Sequence, residues 1–207
     1  MSFAPKLRRN PWLRLAIFSL AASLFVLGYW WGNQYKKPDT PQVSSAILLR
    51  PALHLPDYQA IDYRGNDIGL ASLEGHWALL LAGQLSDPGI RQGLVQLTRI
   101  YNRLAVHPAI QRDLKLLLLS PNPLVDTPER LRDTVHAYNP DLNAAAGRPE
   151  DLAGLFAALG VDDTTADDPA LYLLDPQGRA LAVFTTNDDP ATIAEDLRAI
   201  QEAHPPL

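Results

Sequence analysis

The chain has 207 residues, with 18 basic and 23 acidic side chains, a formal net charge of −5 and not one cysteine. The absence of cysteine excludes a disulfide, a thiol nucleophile, a thiolate metal site and a dithiol redox centre. Six of the basic residues and no acid lie in the first 37 positions, which leaves 12 basic against 23 acidic, a net of −11, on the remainder. A body so acidic repels phosphates, so nucleic acid is excluded as a partner.

The chain opens on a basic tail, residues 1–11, with Lys6, Arg8 and Arg9. Residues 15–31 then run without charge or proline. As a helix rising about 1.5 Å per residue, they reach roughly 26 Å, and about 30 Å with Trp12 and Leu13 added, enough to cross a bilayer. Trp12 at one end and Tyr29, Trp30 and Trp31 at the other suit the two aromatic belts. A cleaved signal has a shorter core, about 7 to 15 residues, and small residues at its end. This run ends in Tyr29-Trp30-Trp31-Gly32-Asn33-Gln34. Residues 12–31 are therefore expected to be an uncleaved transmembrane anchor with the lipid bilayer as partner. The basic tail stays cytoplasmic by the positive-inside rule. That places the acidic body in the periplasm of a bacterium, on a single-pass inner-membrane protein. Residues 32–53 are expected to be a periplasmic linker, with a semi-rigid stalk at 37–42, Lys-Pro-Asp-Thr-Pro-Gln.

Residues 54–207 read as the folded domain. Residues 58–63 suggest a strand, 64–67 a turn, and 68–70 its return. Residues 77–82 and 116–119 are continuous apolar runs, the mark of strands covered on both faces. Between them, Pro88 can open a helix with Leu94, Leu97, Ile100, Tyr101 and Leu104 on its apolar side. Asp126 or Thr127 caps the next helix, with Pro128 in its first turn and Glu129 suited to the dipole. Leu152, Leu155, Phe156 and Leu159 mark a helix stopped at Gly160. Residues 171–174 and 180–184 form a hairpin around Asp175-Pro176-Gln177-Gly178. Asp189 and Pro190 start a last helix facing inward through Ile193, Leu197 and Ile200. The order predicts an α/β fold, a mixed central sheet with helices on both faces in the thioredoxin-like manner.

A set of short motifs adds to this reading. Leu117-Leu118-Leu119-Ser120-Pro121-Asn122-Pro123 precedes Asp126-Thr127-Pro128-Glu129-Arg130-Leu131. Ala137-Tyr138-Asn139-Pro140 follows, then Gly147-Arg148-Pro149-Glu150-Asp151-Leu152, Leu159-Gly160-Val161 and Tyr172-Leu173-Leu174-Asp175-Pro176-Gln177-Gly178. In this order and spacing, residues 55–203 resemble the SCO/SenC proteins, membrane-anchored thioredoxin-fold factors of cytochrome c oxidase assembly. The family's copper site has two cysteines four positions apart, just after the first buried strand, and a distant histidine. The resemblance puts the cysteine positions at Asp87 and Arg91, with Pro88 keeping the proline after the first. It puts the histidine position, five residues before the late-strand tyrosine, at Asp167. Copper(I) prefers thiolate, thioether or imidazole, so neither copper, nor another metal, nor a cofactor is expected.

Asp87, Arg91 and Asp167 are the candidate partner-binding residues. An Asp87–Arg91 ion pair at a helix start could fix the emptied loop for contact; the alternative is a solvated pair contributing little. Asp162, Asp163, Asp167 and Asp168 share a loop, but their spacing fits no calcium loop and includes no glycine. No two of the histidines 54, 76, 107, 136 and 204 have metal-ligand spacing. Ser86 has no neighbouring histidine for a hydrolase site. The expected protein is not an enzyme. By resemblance it assists respiratory oxidase biogenesis through binding oxidase subunits or other assembly factors. The competing expectations are a metal-binding envelope protein using carboxylates and histidines, and a thioredoxin-fold domain in an unrelated envelope role.

Overall fold

Leucine and alanine fill residues 78–82 after Trp77, leucine dominates 114–120, and strands of that kind are stable only with both faces covered. The computed structural model describes residues 11–34, 43–162 and 165–204. In chain order its elements are helix α1 (Pro11–Gln34) and strands β1 (Ile47–His54), β2 (Ala60–Asp62) and β3 (Asp67–Ile68). Helix α2 (Leu70–Leu73), strand β4 (Trp77–Ala82), helix α3 (Ile90–Arg103), helix α4 (Pro108–Asp113) and strand β5 (Leu114–Ser120) follow. Then come α5 (Pro128–Tyr138), β6 (Leu142–Ala146), α6 (Pro149–Leu159), β7 (Leu171–Leu174), β8 (Arg179–Phe184) and α7 (Pro190–Ala203).

All eight strands share one sheet in the order β1-β8-β7-β4-β5-β6-β2-β3. β4, β5 and β6 are parallel, with Trp77 opposite Leu114 and Leu116 opposite Leu142. The remaining pairings are antiparallel. The period-two alternation of a strand splits β4 between two cores. Trp77, Leu79 and Leu81 pack with Leu94, Leu97 and Ile100 of α3, Leu131 and Val135 of α5, and Ile193, Leu197 and Ile200 of α7. Ala78 and Leu80 face the other way, onto Leu73 of α2 and Leu152, Leu155 and Leu159 of α6. The sheet is thus mixed and covered on both faces, as expected.

Several boundaries differ from the sequence reading. The segment expected to be linker up to residue 53 holds β1, which pairs with β8 at one edge of the sheet. The compact unit containing the sheet begins at Pro41. The return strand is only Asp67–Ile68, because Leu70 starts α2. Helix α3 begins at Ile90 rather than at Pro88, with Gly89 at its N-cap. Thr127, not Asp126, caps α5, its side chain accepting from Arg130 N at 3.4 Å.

The described side chains of α1, Trp12 and 17–29, are exposed. Among the described residues no helix is long and apolar enough to cross a membrane. The stalk at 37–42, positions 1–10 of the basic tail and Asp163 lie outside the described residues.

Candidate functional site

At the end of β4 the chain must turn over the edge of the sheet, and Gly83 makes the turn at φ +148°, a conformation suited to glycine. The loop that follows is closed by its own carboxylate. Asp87 Oδ2 accepts from Gln84 N at 2.7 Å, and Asp87 N donates to Gln84 O at 2.9 Å. Arg91 lies in the first turn of α3, exposed, and has no ion-pair partner among the described residues. The expected Asp87–Arg91 pair is therefore not formed. The four-residue spacing brings side chains together when both lie on a helix, and Asp87 precedes the helix with its carboxylate already engaged by the backbone.

Asp167 reaches the same place through backbone contacts. Gly89 N donates to Ala166 O at 3.0 Å. A Cβ on Gly89 would lie 2.6 Å from Asp167 O and 2.8 Å from Ala166 O, and would also strike Pro169. Only glycine allows the 166–169 segment to lie this close to the start of α3. Asp167 itself is exposed. Its neighbour Asp168 accepts from Thr186 Oγ1 at 2.9 Å, which ties the segment to the loop after β8. The structure thus brings the 166–169 segment, with Asp167, against the stretch that holds Asp87 and Arg91, the three positions that the resemblance assigns to the family's ligands.

The residue that sequence reasoning missed is Asp126. It is completely buried. Its Oδ2 accepts from Ser120 Oγ at 2.6 Å and from Leu85 N at 2.9 Å. Arg130 Nη1 stands 3.6 Å from Oδ1, which has no hydrogen bond among the described residues. Burying a carboxylate is costly unless it is paired and hydrogen-bonded, so these contacts give it a structural task. It joins the 84–91 loop to the loop after β5. Asn122 Nδ2 adds a second tie to Gln84 Oε1 at 2.9 Å. Beside these ties Leu124 is 90% exposed and Val125 44%. The signal was the redundancy of Asp126-Thr127, since a helix needs only one N-cap.

Chemically, the gathered positions offer two carboxylates and a guanidinium. A guanidinium is a permanent cation with no acceptor, and hard carboxylate oxygen does not suit copper(I). These residues do not fit the family's metal. Among the described residues no group of three histidine or acidic side chains is placed to hold a metal ion.

The family model described as SCO1/SenC matches residues 49–202. A relative named "Protein SCO2 homolog, mitochondrial", from Danio rerio, is 25% identical over 186 residues, covering 84% of this chain and 66% of its own. A protein of Stutzerimonas stutzeri named "Putative copper-binding protein" is 28% identical over 120 residues, 57% of each chain. This chain thus spans under two thirds of the length of either curated relative. The crystal structure of yeast Sco1 with copper bound superposes with a TM-score of 0.63 at 21% identity, covering 76% of this chain and 96% of that one. The same fold is therefore shared with a copper-bound Sco1. The family match runs from within β1 into α7, and the chain belongs to the SCO1/SenC family as a member without cysteine.

Proposed function

We propose that the protein is a non-catalytic SCO protein that assists biogenesis of respiratory cytochrome c oxidase by binding partner proteins, oxidase subunits or other assembly factors. SCO proteins are associated with cytochrome c oxidase assembly. The observation that carries the reading is the changed donor set at one end of the sheet. Asp87, Arg91 and Asp167 stand together where the resemblance puts the metal ligands, while none of them suits copper(I). The contact patch is the 84–91 loop with the facing 165–168 segment. Residues 12–31 anchor the protein in a bacterial inner membrane, with the tail cytoplasmic and the acidic domain periplasmic; the unbroken apolar run and the basic tail support this.

The test is complementation of a deletion strain with D87A/R91A. Folding is expected to change little, because Arg91 is exposed and unpaired among the described residues. Oxidase yield is expected to fall. Full complementation by a normally folded, normally abundant double variant would place the working surface elsewhere.

A further inference from the structure

At the far edge of the sheet, β2 and β3 border an open cleft of about 550 Å³. That volume lies within the usual range for ligand sites. Ile61 and Ile68 contribute apolar lining, and Ile61 is 55% exposed. The charged lining is Asp57, Asp67 and Asp151 against Arg148. Arg148 is already engaged: it donates to Asp151 at 2.8 and 3.1 Å and lies 3.3 Å from Glu150. Asp57 and Asp67 remain, both exposed and neither in an ion pair among the described residues. Among the described residues Asp57 Oδ1 accepts only from Tyr58 N, at 3.1 Å.

Two further features shape what the cleft can hold. Tyr58 lines it, and its buried hydroxyl has no hydrogen-bond partner among the described residues. Burial, and then the Asp57 charge, push that hydroxyl above the usual tyrosine range, so it remains a neutral donor. Among the described residues the outer side of β3 pairs with no other strand, and an open edge can accept an extended segment. The N-terminus of α6 also borders the cleft and would by itself attract an anion. Glu150 and Asp151 in its first turn already answer that dipole.

We propose that this cleft docks an extended segment of a partner protein through an arginine or lysine side chain flanked by apolar residues. The cation sits between Asp57 and Asp67, its stem lies on Ile61, which stands opposite Asp67 on the same face, and the segment's backbone runs along β3. The uncompensated negative charge selects the cation, and the apolar lining selects a side chain with a long methylene stem. This surface is separate from the 84–91 patch, so it goes beyond the proposed function and is tested without any oxidase subunit.

The experiment is calorimetric titration of the full chain in detergent micelles with a capped Ala-Leu-Arg-Leu-Ala peptide. One-to-one binding is expected, with amide shifts at Ile61 and Ile68 in parallel NMR spectra. D57N/D67N should weaken binding at least tenfold; the amide oxygen introduced at position 57 can still accept from Tyr58 N, so the loop is kept. Replacing the arginine with norleucine should abolish binding. No binding at millimolar peptide, equal binding of the norleucine peptide, or undiminished binding by D57N/D67N would overturn the proposal. Arginine methyl ester binding as tightly as the peptide would overturn the assignment to a protein segment.

Discussion

Ser120 donates its hydroxyl to Asp126 Oδ2 at 2.6 Å, and both residues are completely buried. The same oxygen accepts from Leu85 N at 2.9 Å. One carboxylate therefore joins the end of β5 to the loop after β4. Replacing it with alanine leaves a hydroxyl and an N–H without an acceptor, each costing about 1–3 kcal/mol. D126A should be destabilised by about 3 kcal/mol in urea unfolding, and D126N by less because its amide oxygen can still accept. A wild-type midpoint for D126A would show that the tie contributes nothing.

Gly89 and Ala166 make the second relationship at this end of the sheet. A methyl group at Gly89 would sit 2.6 Å from Asp167 O. Such overpacking costs about 1–3 kcal/mol. G89A is expected to lose that much stability and to displace the 166–169 segment, visible as amide shifts from Ala166 to Asp168. Unchanged shifts and an unchanged midpoint would mean that the close approach is not required.

Asp62 governs part of the acid sensitivity. Burial alone would raise its pKa, but hydrogen bonds from Asn66 and Arg64 N, with the Arg64 charge, outweigh burial and hold it below the usual carboxylate range. A depressed folded pKa contributes stability above the unfolded value of about 3.9 and loses it as pH falls through the folded pKa. Stability should therefore be insensitive to Asp62 near neutral pH and decline below about pH 4. Denaturant titrations of D62N should show a flatter acid limb than wild type; parallel limbs would count against this role.

Copper(I) titration checks the donor argument directly. The purified protein is expected to release copper(I) to a strong competing chelator at neutral pH, since oxygen and guanidinium donors replace soft ones. One equivalent retained against that chelator would overturn it.

The membrane anchor has its own check. Membrane-extracted protein should yield an intact peptide containing Met1. A mature chain starting after Trp31 would remove the anchor from the proposal.

The local pattern of residues determined much of this protein. The leucine runs of β4 and β5, the caps Thr127 and Asp189, the Gly160 stop and the Asp175–Gly178 turn were legible because each depends on near neighbours. The resemblance was legible in short motifs, and the absence of cysteine needs no structure at all. Strand β6 was not legible: Leu-Asn-Ala-Ala-Ala has little strand propensity of its own and is held by parallel pairing with β5 and by burial. Strand β1 was concealed by Arg50 and Pro51, which read as linker; at a sheet edge a missing N–H is tolerated, and pairing with β8 decides it. The site depended still more on tertiary structure. Whether Asp126 capped a helix or joined two loops, and whether Asp167 came near Gly89, depended on residues distant in sequence. Such contacts form only when the sheet places their loops together, so no local pattern can encode them.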